Sequence, residues 1–106
     1  MNGAGTAPHV LIYRITGRQG AIRVPRWVCP ECDLTVAAVR MALTQAGLDG
    51  ATVEVRPWLT HLGQALRDGA RHPPAVLVDG LLVCQGRVPD VDMLVRHLRE
   101  AAACSG

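Results

Sequence analysis

At 106 residues the chain has room for one domain with a single modest core. Its 49% apolar and 19% charged residues describe a globular protein and exclude a disordered one. A net charge of +2 from scattered arginines, with only 3% aromatic residues, argues against a nucleic-acid partner, which needs a basic face and rings to stack on.

The core must be aliphatic, because the chain has no phenylalanine, one tyrosine and two tryptophans. All 11 basic residues are arginine, a bias that points to the base composition of the coding sequence rather than to chemistry. Residues 1–8 read as a short, flexible, polar lead-in without the apolar run of a secretory signal. No stretch has the length of a membrane span. A cytoplasmic location is therefore expected, with a domain over residues 9–103 and a tail over 104–106.

Residues 9–15, rich in Val, Ile and Tyr, predict a buried strand. Gly17 and Gly20 signal a turn, and residues 21–24 form a short returning strand before Pro25. Cys29-Pro30-Glu31-Cys32 follows. A helix over residues 31–46 carries apolar side chains at Leu34, Val36, Val39, Leu43 and Ala46, and Gly47 stops it. A second strand is expected over 51–56, and Leu59, Leu62 and Leu66 set helical spacing up to Asp68-Gly69. Residues 74–78 and 81–85 make a hairpin around Asp79-Gly80. Asp90 caps a last helix over 91–103. The order β-α-β-α-β-β-α, a parallel pair with a crossover helix followed by a hairpin and a covering helix, is an α/β sandwich.

The chemistry lies in the Cys-x-x-Cys motif. In a reducing compartment two thiols at this spacing are catalytic or metal-binding rather than a structural staple. A cysteine opening a helix is expected to have a depressed pKa, because free backbone N–H groups stabilise the thiolate. Cys29 is the expected nucleophile, and Cys32, one turn on, resolves the mixed disulfide. Such a thiol–disulfide oxidoreductase needs no cofactor. Its partners are a substrate disulfide, on a protein or a low-molecular-weight thiol, and an external thiol reductant. A second reading is a soft-metal carrier, with Cys29 and Cys32 as ligands for Zn, Cu or Hg and Cys84 as a third. A third is a redox-inert interaction domain. Cys84 reads as a small buried hydrophobe and Cys104 as exposed tail. No two histidines have the spacing of a zinc site, so no metal ligands are assigned.

Three elements in this order, Cys29-Pro30-Glu31-Cys32, Pro74 to Gly80 (Pro-Ala, an apolar run, Asp-Gly) and Gly86-Arg87-Val88-Pro89, resemble the small thioredoxin-like and glutaredoxin-like redox proteins of bacteria and archaea. The resemblance covers most of residues 9–100 and implies a thioredoxin-like fold, a four-stranded mixed sheet flanked by three helices. It makes Pro74 a cis-proline beside Cys29 and places Trp27 over one side of the motif. Pro73, in the position whose backbone normally pairs with a bound peptide or glutathione, keeps a carbonyl but has no N–H. The segment from 16 to 28 is longer than is usual in this family and brings Arg18, Arg23 and Arg26 close to the motif in sequence. Facing Cys29, they would lower its pKa further and attract an anionic partner. Trp27, Pro73 and Arg26 are thus the expected substrate contacts. The buried carboxylate and lysine that move protons in thioredoxin have no counterpart here, and Glu31 is the nearest acid.

Overall fold

The computed structural model describes residues 7–48 and 50–105, without the side chains of Arg26, Cys104 and Ser105. Its elements are β1 (His9–Arg14), β2 (Gly17–Gln19), β3 (Ile22–Val24), α1 (Pro30–Gln45), β4 (Thr52–Pro57), α2 (Leu62–Arg67), β5 (Ala75–Val78), β6 (Leu81–Gln85) and α3 (Val91–Ser105).

Four strands form one sheet in the order β4-β1-β5-β6. β1 runs parallel to β4 and antiparallel to β5, and β6 returns along β5. β1 is buried on both faces, as its unbroken run Val10 to Tyr13 requires. Side chains alternate along a strand, so β1 and β5 feed two layers. Val10, Ile12, Val76 and Val78 meet Val39, Ala42 and Leu43 of α1 and Leu94, Val95 and Leu98 of α3. Leu11, Tyr13, Ala75 and Leu77 meet Ala65 and Ala70, with Trp58 and Leu82 packed against them. The thioredoxin-like architecture expected above, with three helices on a mixed four-stranded sheet, is the one observed.

Local chemistry explains where the elements stop. At the end of α1, Gly47 adopts φ 72°. Its N–H donates to Thr44 O at 3.1 Å while Leu48 N–H reaches Leu43 O at 2.9 Å, which closes the helix by a left-handed cap. The same closure recurs after α2, through Gly69 and Ala70 onto Leu66 and Ala65. Asp79 and Gly80, at φ 50° and 83°, make the two-residue turn between β5 and β6. Asp90 Oδ2 accepts the Met93 N–H at 3.2 Å and so caps α3.

Several expectations need correction. Strands β2 and β3 pair with each other in a separate ribbon, Gly17 opposite Val24 and Gln19 opposite Ile22, so residues 17–19 are strand as well as turn. α2 is shorter than the leucine spacing predicts. It packs through Ala65, while Leu59, Leu62 and Leu66 remain at the surface. β6 carries a register shift, Val76 facing Cys84 but Leu77 facing Leu82, so Val83 bulges between them. Pro8 is buried, so packing begins inside the expected lead-in, whose first six residues lie outside the described ones. α3 continues through Cys104, so residues 104 and 105 are helix rather than tail. Among the described residues no helix is long and apolar enough to cross a membrane.

Candidate active site

The ribbon and a short 3-10 turn at Arg26–Val28 deliver the chain to the start of α1. Cys29 is the N-cap of that helix and Pro30 opens its first turn, where a missing N–H costs nothing and the fixed φ suits the helix. Cys32 therefore comes round to the same side one turn later. Its Sγ donates to Cys29 Sγ at 3.0 Å, and an approach of about 1 Å would bring the pair to bonding distance. Cys32 is fully buried and Cys29 half-buried, so a reagent meets Cys29 first.

The acidity of Cys29 runs opposite to expectation. Burial pushes its thiol up, to about 11, and the proton shared with Cys32 and the negative charge of Glu31 add to the rise. The Cys32 backbone N–H pulls the other way without winning. Helix N-termini lower thiol pKa values when the sulfur is solvated; here desolvation dominates. Among the described residues no arginine is one of the influences on Cys29. Arg18 and Arg23 are exposed and stand opposite each other on the ribbon, and the Arg26 side chain lies outside the described residues.

The other predicted site residues separate into groups. The Pro73–Pro74 peptide bond is cis and Pro74 is buried. Trp27 is 79% exposed and Val28 46%; the indole stands out in solvent instead of packing down over the motif. Cys84 is buried, with its Sγ 3.8 Å from the Arg87 carbonyl. Among the described residues no three His, Cys, Asp or Glu side chains gather as metal ligands. Trp58 lies under α2, its Nε1 donating to Ala70 O at 2.8 Å.

Two polar residues escaped sequence reasoning. Gln19, buried inside the ribbon, donates from Nε2 to Arg14 O at 3.0 Å and accepts the Leu59 N–H on Oε1, also at 3.0 Å. It ties the ribbon to β1 and to the β4–α2 loop. Thr35, one turn beyond Cys32 on the same face of α1, is fully buried, and its Oγ1 has no hydrogen-bond partner among the described residues. Neither had a visible signal, since a lone Gln in a turn or a lone Thr on a helix reads as surface.

A mixed β4-β1-β5-β6 sheet with a dithiol at the head of its first crossover helix defines a thioredoxin-like domain. The family profile described as Thioredoxin domain matches residues 21–99, and the chain belongs to that family. Neither the curated proteins nor the solved structures contain a match to it. The family match begins at Ala21, so β1 and the first strand of the ribbon precede it.

Proposed function

We propose that the protein is a small thiol–disulfide oxidoreductase acting through Cys29 and Cys32. The observation that carries this reading is the 3.0 Å approach of an accessible sulfur to a buried one at the head of α1, in a chain of the thioredoxin-domain family.

In the first step the Cys29 thiol loses its proton to solvent and the thiolate attacks one sulfur of a substrate disulfide. The Cys29–substrate S–S bond forms, the substrate's own S–S bond breaks, and the second half leaves as a thiolate that takes up a proton. Cys32 then gives up its proton and attacks Cys29 Sγ. The Cys29–Cys32 bond forms and the remaining substrate thiolate departs. Two electrons have passed to the substrate, and an external thiol reductant restores the dithiol. Thiol oxidants of this type draw their potential from a stabilised thiolate. At Cys29 burial outweighs the stabilising Cys32 backbone N–H, which favours the reducing direction. Soft-metal binding by the same two thiols lacks a third ligand among the described residues, and nothing at the site favours it.

The reading is tested by titrating the metal-free protein against glutathione redox buffers and mapping disulfides by peptide mass spectrometry. A reversible Cys29–Cys32 bond is expected. Cys32→Ser should accumulate mixed disulfides on Cys29, and Cys29→Ser should abolish reduction of a model disulfide. Retained activity in Cys29→Ser would overturn the mechanism.

A further inference from the structure

Beside the dithiol, the ribbon and the first turn of α1 enclose a cleft of about 270 Å³ lined by Arg14, Thr16, Gly17, Arg23, Val24, Pro25 and Asp33. Two arginines contribute to it. The ion pairs seen among the described residues lie elsewhere, at Glu54 with Arg56 and His9, and neither Arg14 nor Arg23 is paired. Asp33, on the helix side, already holds an interaction of its own.

The cleft is built around Arg14. At Gly17, φ is 79°, and a Cβ there would fall 2.4 Å from Arg14 Nη2. The guanidinium lies across the chain at Gly17, whose positive φ suits a glycine. Arg23 faces Arg18 directly across the ribbon, a like-charge pairing that destabilises an antiparallel pair until an anion offsets it. The neighbourhood of the dithiol is equally specific. Pro25 accepts the Val28 N–H at 3.1 Å, directly before Cys29, and Asp33 lies four residues beyond Cys29. The cleft lining thus flanks Cys29 in the sequence on both sides, at Pro25 and at Asp33.

We propose that this cleft is a carboxylate-binding subsite, and that the disulfides the protein reduces best are small molecules carrying a carboxylate close to the sulfur. The inference rests on the redox reading and names its substrate class. Guanidinium groups bind carboxylates through two parallel hydrogen bonds, and two unpaired arginines in one concavity favour such a group over a neutral one. The cleft is smaller than the pockets that enclose whole drug-sized ligands, so it takes an end of the substrate. Pro73 supplies the complementary reason, because without an N–H it has lost one backbone anchor for an extended peptide. Arg14, Thr16 and Gly17 all precede the residues that the family profile matches.

The test compares dithiodiglycolate, which is anionic, with bis(2-hydroxyethyl) disulfide, its neutral counterpart of similar size. Each kcat/KM is normalised to the rate of the same disulfide with free 2-mercaptoethanol. The normalised ratio should favour the anionic disulfide about tenfold, and the double variant Arg14→Gln/Arg23→Gln should erase most of that preference. Arg96→Gln, on an exposed part of α3, removes one charge elsewhere and should leave the ratio unchanged. A ratio near one in the native chain, a ratio untouched by the double variant, or an equal fall in Arg96→Gln overturns the subsite. If neither disulfide is reduced, the redox reading has failed, and the subsite is judged by calorimetric titration of dithiodiglycolate into the Cys29→Ser protein. Heat that disappears in the triple variant with both glutamines supports it; no heat overturns it.

Discussion

The sheet with its helices and the ribbon beside it are held together by different forces. The sheet is sealed by two aliphatic layers, with Ile12 and Val10 wholly out of water. The ribbon exposes Arg18, Ile22 and Arg23 and owes its seat to polar contacts from a single buried side chain, Gln19. Apolar burial is additive over many residues, whereas a buried amide concentrates attachment in one place. The comparison teaches that the dithiol stands on a border, with α1 on the strongly held side and the chain leading into it on the weakly held one.

Substitutions on the two sides should therefore behave differently. Ile12→Ala should cost about 2–5 kcal/mol of global stability, read by urea unfolding; a loss below about 1 kcal/mol would mean that the sheet layer is not the main support. Gln19→Ala should cost about 1–3 kcal/mol, and locally. Hydrogen exchange should accelerate across residues 17–24 while amides of β1 and β5 keep their protection. If exchange rises equally everywhere, the ribbon is part of the core and the contrast fails. Thr35→Val removes a buried hydroxyl that has no partner and should stabilise the protein by about 1 kcal/mol; destabilisation would reveal a bound water or other partner for Oγ1.

The smallest effect is in pH. The Cys29 pKa rises from an ordinary 9.0 to about 11 in the fold, so the folded protein holds that proton more tightly than the unfolded one. Its contribution to stability is complete below pH 9 and is lost as pH climbs through 11. In reducing buffer the melting temperature should decline over that interval, and more gently in Cys29→Ser. The Tyr13 phenol, raised by burial and by Asp68, should add its own decline in both proteins. Equal slopes with and without the thiol would show that Cys29 titrates as a solvated group.

Much of the scaffold was legible because its signals are local. The apolar run of β1, the stop at Gly47, the Asp79-Gly80 turn and the Asp90 cap each depend on residues within one turn of themselves. The Cys-x-x-Cys spacing was legible for the same reason. What escaped depends on distant partners. Gln19 meets Leu59, 40 residues away, and the leucines of α2 are left outside because Ala65 and Ala70 fill the space beneath. The direction of the Cys29 pKa was misjudged because a helix start can be seen in sequence and desolvation cannot. The exposure of Trp27 likewise depends on how the inserted ribbon carries the chain to α1, and the motif alone does not contain that path.

The bulge at Val83 bears on how the molecule behaves in a crowded solution. β6 is an edge strand and its sequence, Leu81-Leu82-Val83-Cys84-Gln85, carries no charge. A flat edge of that composition would recruit the same strand from a second molecule and seed aggregation. By breaking the register between Cys84 and Leu82, the bulge denies an incoming strand a regular ladder. The opposite edge, β4, relies on Glu54 and Arg56 instead. Colloidal stability at one border of the sheet thus rests on charge, which salt screens, and at the other on backbone shape, which salt does not touch.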